Sequence, residues 1–101
     1  MKILALGAHP DDIEIFMYGL LSLCRNRGDE IFTLIATDGA KGGDQEEKTL
    51  IQVRKKEAVN GLQRLSRPIF LNLPDGSLGD EIEHQKIIKE NILKIMPELI
   101  I

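Results

Sequence analysis

The sequence predicts an α/β fold, a mostly parallel sheet held between layers of helices. Three observations predict it. Short apolar runs alternate with longer segments of helical periodicity. Gly, Pro and Asp punctuate the junctions between them. Successive strand-like runs are separated by a helical one, and strands joined in that way lie parallel, with right-handed crossovers.

Residues 2–8 form the first strand, a buried run that ends at Pro10. Residues 12–27 form a helix, with Ile13, Phe16, Met17, Leu20, Leu23 and Cys24 on one face. Arg25, Arg27 and Gly28 mark its end: cations suit the negative end of the helix dipole, and glycine suits the position beyond it. Residues 31–36 form the second strand. Thr37 to Asp44 reads as a loop containing Gly39, Gly42 and Gly43. Residues 46–65 form a helix with a stripe through Ile51, Ala58, Leu62 and Leu65. Residues 68–73 form the third strand, and Pro74-Asp75-Gly76 a turn. A helix over roughly residues 80–96 runs through Ile88, Ile92 and Met96 until Pro97 ends it. Leu99-Ile100-Ile101 begins a fourth strand. The expected whole is one Rossmann-like, three-layer domain over residues 1–101. The chain stops inside an apolar run, so the domain is expected to continue beyond Ile101.

Composition bounds the function. Of 101 residues, 43% are hydrophobic and 29% charged, which is globular rather than disordered. The net charge is −3, with no basic run, one Tyr and no Trp, which argues against a dedicated nucleic-acid binder. The one cysteine, Cys24, has no internal disulfide partner; it points to a reducing, cytoplasmic compartment and reads as a core residue. Residues 2–8 are too few to span a membrane.

The chemistry-bearing cluster is His9-Pro10-Asp11-Asp12, at the carboxyl end of the first strand, where open α/β sheets bind ligands. Zinc accepts imidazole nitrogen and carboxylate oxygen. His9 and Asp12 are spaced to converge on one ion, which leaves Asp11 as a general base. The competing reading is that Asp11 or Asp12 only caps the helix. Arg54 falls beside Ile51 and Ala58, at the edge of an apolar stripe, where a charge must pair or reach a polar site. It either binds a substrate oxygen in the pocket or lays its stem on the surface with its head in water. The glycine loop lacks the ending of a phosphate-binding loop. Glu14 suits the electrostatics of a first helical turn. His84 reads as a surface or boundary histidine.

The run Gly7-Ala8-His9-Pro10-Asp11-Asp12-Ile13-Glu14 resembles the signature of the PIG-L/LmbE-like family of zinc-dependent N-deacetylases. Thr37-Asp38-Gly39, Val53-Arg54-Lys55-Lys56-Glu57-Ala58 and Leu73-Pro74-Asp75-Gly76 extend the resemblance in the family's order. It covers the whole of this chain and about the N-terminal half of a family member. The resemblance implies that His9 and Asp12 bind Zn2+, that Asp11 is the general base, and that Arg54 and Asp75 bind substrate. The implied substrate is a small N-acetylated amino sugar or glycoside. The family's third zinc ligand is a histidine in a later segment that this chain does not contain, and His84 does not match it. The alternative is therefore a non-catalytic fragment or a small metal- or ligand-binding module. A receiver-like signalling domain also places acidic pairs after the first strand, but His9-Pro10 departs from that pattern. An apolar sheet edge at the last strand is expected to favour a homo-oligomer.

Overall fold

A computed structural model describes residues 1–41 and 46–101. The elements are β1 (Lys2–Gly7), α1 (Asp12–Phe16), α2 (Tyr18–Arg27), β2 (Glu30–Thr37), α3 (Glu47–Leu62), β3 (Ile69–Leu73), α4 (Ile82–Ile95) and β4 (Leu99–Ile100). The strands form one sheet in the order β3-β2-β1-β4, and every pair is parallel.

The alternation of side chains along each strand builds two cores. Ile3 and Ala5 of β1 and Ile31 and Ile35 of β2 face one side, packed with Ile13, Leu21, Ala58, Leu62 and Leu65 from the α1–α3 part of the chain. Leu4, Leu6, Phe32 and Leu34 face the other side, against Ile92 and Ile95 of α4. A parallel sheet covered on both faces needs near-continuous apolar strands, which explains why these runs show no polar alternation. The chain builds outward from β1 to β2 and β3, then crosses back to place β4 on β1's other side. The direction of winding reverses there, and such reversals open a crevice at the carboxyl ends of the strands.

The helices depart from expectation in three places. Residues 12–27 are not one helix: Met17 leaves helical geometry (φ −124°, ψ −13°) and divides α1 from α2. The buried stripe nevertheless keeps helical spacing across the break, from Ile13 through Met17 and Leu21 to Cys24. Leu21 is fully buried and Met17, Tyr18 and Cys24 pack beside it, while Phe16, Leu20 and Leu23 are exposed. In α3 the buried stripe is Leu50, Ala58 and Leu62, with Ile51 only half-buried, and Leu65 packs from the turn after the helix. In α4 the helix stops at Ile95. Proline disfavours helical geometry in the residue before it, and Met96, preceding Pro97, is left-handed (φ 53°) and exposed rather than part of the stripe. His84, expected at the surface or boundary, is buried, and its Nδ1 has no hydrogen-bond partner among the described residues.

Candidate functional site

The loops after β1, β2 and β3 meet at one end of the sheet. Thr37, the last residue of β2, ties the first two: its N–H and its Oγ1 hydroxyl both donate to Ala8 O, at 2.9 and 2.7 Å. The Asp38 N–H donates to Leu73 O at 3.0 Å, which ties the second loop to the third. A cleft of about 430 Å³ opens over these loops. Its lining includes His9, Asp11, Asp12, Arg54 and Asp75, so all five residues singled out from the sequence share one site. Gly76, from the Pro-Asp-Gly turn, Lys41 and Ile15 complete it, and the sequence had not singled out the last two as site residues. Gly42, Gly43 and Asp44 of the expected glycine loop lie outside the described residues.

His9, Asp11, Asp12, Arg54 and Asp75 each have a definite partner. Asp12 Oδ2 accepts the His9 backbone N–H at 2.8 Å and also lies 3.5 Å from His9 Nδ1. His9 Nε2 stands 3.0 Å from Asp75 Oδ1, while Asp75 Oδ2 accepts the Lys41 N–H at 2.9 Å. Asp75 is thereby nearly closed off from solvent and orients the imidazole from behind. Asp11 occupies the N-cap position of α1 but makes no side-chain cap hydrogen bond. Its Oδ1 accepts from Arg54 Nη2 at 2.7 Å, and its side chain is half-exposed to the cleft. The capping reading therefore does not account for Asp11. Arg54, rather than snorkelling, is 15% exposed and reaches in from α3. Glu14, beside these groups, has Oε1 buried with no partner, and burial pushes its carboxyl up.

The donors suit half of a metal site. Two ligands on one tetrahedral zinc, each about 2.0–2.2 Å from the ion, stand roughly 3.3 Å apart. His9 Nδ1 and Asp12 Oδ2 are 3.5 Å apart, and both side chains reach the cleft. Among the described residues there is no group of three His, Cys, Asp or Glu arranged to hold an ion. His84 is not brought to the cleft.

Comparison with known proteins shows the family and the fold. The model of the PIG-L family, described as GlcNAc-PI de-N-acetylase, matches residues 4–101. The chain is similar to a solved N,N'-diacetylchitobiose deacetylase from Pyrococcus horikoshii, complexed with its inhibitor MPG. The two are 27% identical with a TM-score of 0.90, over 98% of this chain and 39% of that one. The conserved protein TT1542 from Thermus thermophilus is 25% identical with a TM-score of 0.82, over 97% of this chain and 44% of that one. GalB, the 4-carboxy-2-hydroxymuconate hydratase from Pseudomonas putida, shares the fold at 18% identity and a TM-score of 0.86, over 98% of this chain and 45% of that one. The chain thus spans less than half the length of each of these structures. No curated protein sequence matches it.

Proposed function

The chain belongs to the PIG-L family, and from that premise we propose that it forms the N-terminal portion of a zinc-dependent de-N-acetylase. Its substrate would be the N-acetyl amide of an amino sugar or related glycoside. The observation that carries this reading is Asp11: a carboxylate half-open to the cleft, unused as a helix cap, beside the His9–Asp12 pair.

His9 and Asp12 would hold the zinc, which when bound lowers the pKa of a water and polarises the amide carbonyl. The remaining steps belong to the protein's own groups. Asp11 accepts a proton from the water as it attacks the acetyl carbon. The C–N bond then breaks, and Asp11 returns that proton to the departing nitrogen, so that one amide and one water become acetic acid and an amine, which at neutral pH stand as acetate and an ammonium. Asp75, which pairs with His9 and lines the cleft, would orient the imidazole and contact the substrate. We place the protein in the cytoplasm, on the strength of Cys24 as a free thiol. Among the described residues no helix is long and apolar enough to cross a membrane.

Metal content and acetate release, measured together, test the reading. The wild-type protein should bind zinc and Asp12→Ala should not. Asp11→Asn should retain zinc and lose activity by about 10²–10⁴-fold, the usual contribution of a general acid–base group. Full turnover by Asp11→Asn at wild-type metal content would remove Asp11 from the mechanism. A second reading, a metal- or ligand-binding module without turnover, is favoured by the absence of a third donor among the described residues. Zinc binding without acetate release would select it.

A further inference from the structure

We infer that Arg54 is a positioning residue that acts through Asp11, and that Gly39 is the notch that admits its guanidinium. The inference rests on the de-N-acetylase reading for what Asp11 does, but the clamp itself is a matter of geometry.

Arg54 stands midway along α3 and directs three N–H groups to three acceptors on two loops. Nη1 donates to Gly39 O at 2.8 Å, after β2. Nη2 donates to Pro10 O at 2.8 Å and to Asp11 Oδ1 at 2.7 Å, after β1. The last two acceptors hold the backbone and the side chain of the same short segment. That segment needs holding, because Asp11 is left-handed (φ 82°), a conformation few non-glycine residues adopt unaided. With Oδ1 engaged by Arg54, Oδ2 is left for the cleft. A planar guanidinium serves three acceptors at once; a lysine ammonium in its place has neither the fork nor the fixed plane.

Gly39 makes room for this arrangement. A Cβ there would stand 2.7 Å from Arg54 Nη1, 2.9 Å from Cζ and 2.9 Å from Pro10 Cδ, and its φ of 70° also favours glycine. Three of the five guanidinium N–H groups are engaged, and the guanidinium sits beneath Asp11, which is the more exposed of the pair. A group placed this way changes the rate by aiming Asp11 more than by gripping the substrate.

Steady-state kinetics on Arg54→Lys, with thermal melting to confirm folding, separates the two roles. Positioning predicts that kcat falls by about 100-fold while KM changes by less than about threefold, since misplacing a reacting group by about 1 Å costs that much. Added guanidinium ion should restore part of the activity of Arg54→Ala, a rescue that a purely architectural role would not show. A large rise in KM with kcat retained would make Arg54 a substrate contact and overturn the inference. So would wild-type kcat in Arg54→Lys. A readout independent of turnover is the NMR spectrum of the Arg54 side chain. A clamped guanidinium gives separate, slowly exchanging Nη–H signals that Gly39→Ala should collapse; averaged signals in the wild-type protein would overturn the clamp. Should the wild-type protein release no acetate at all, the functional reading fails, and the spectrum still decides whether the clamp exists.

Discussion

Asp29, in the turn between α2 and β2, accepts from two cations: the amino group of Met1 at 2.9 Å and Arg27 Nε at 2.8 Å. The hydrogen bond from the amino terminus, then that from Arg27, holds the Asp29 carboxyl below its usual value despite its burial. The same contact raises the pKa of the terminal ammonium. A carboxyl whose folded pKa lies below its unfolded one stabilises the fold fully above the unfolded value, near 3.9. That contribution is lost as pH falls through the folded value. The ammonium bounds the window on the other side, because its contribution is lost as pH rises through its raised folded value. Asp29→Asn should therefore melt at a lower temperature than the wild type at pH 7, and the gap should narrow steadily below pH ~4. Melting curves at pH 7 and pH 3 decide it, and an equal gap at both would show that the ion pair contributes nothing to stability.

The buried stripe Ile13, Met17, Leu21 and Cys24 determines which leucines carry the packing of α2. Leu21 is fully buried while Leu20 is half-exposed, so the two neighbours should respond differently to truncation. Leu21→Ala should cost about 2–5 kcal/mol, and Leu20→Ala less than about 0.5 kcal/mol. Urea unfolding of both variants checks which face is buried, and equal losses would show that Leu21 does not carry the packing of α2. The choice of face also shows what was legible in the sequence. The strands were, because Ile3 to Leu6 and Ile31 to Ala36 are apolar on both faces, and a sheet sandwiched between helices demands that. The candidate cluster was picked out by spacing alone for His9, Asp11 and Asp12, which sit within four residues, whereas Asp75 was singled out only by the resemblance of its Pro-Asp-Gly turn to a family motif. The buried face of the first helical segment was not legible, because the stripe Ile13, Met17, Leu21, Cys24 and the neighbouring stripe Phe16, Leu20, Leu23 are both apolar at helical spacing, and only packing against the sheet chooses between them. Met96 was open to prediction from Pro97, which disfavours helix at the preceding position. The partners of Arg54 were out of reach. Gly39, Pro10 and Asp11 lie 15 to 44 residues away from it, and only the assembled sheet brings them together.

At the scale of the whole chain, two apolar surfaces are left uncovered by the described residues. One is the outer side of α1 and α2, where Ile15, Phe16, Leu20 and Leu23 are all more than half exposed. The other is β4, which pairs only with β1 among the described residues and leaves Leu99 and Ile100 exposed beside a groove of about 340 Å³ lined by Ile92, Leu93 and Met96. An apolar edge strand with free backbone groups on one side is a template for another strand. Contiguous apolar surface of this kind is uncommon on a monomer. The 101-residue chain should therefore self-associate, with a concentration-dependent elution volume in sizing chromatography. The two surfaces can be told apart by where a charge is placed. Ile100→Lys puts an ammonium on the β4 edge, which strand addition does not tolerate. Phe16→Glu puts a carboxylate on the α1 face and leaves the sheet untouched. Edge pairing predicts that Ile100→Lys elutes as a monomer while Phe16→Glu still associates. The reverse pattern would move the contact to the helices, and a wild-type chain that elutes as a monomer at every concentration would show that neither surface drives association.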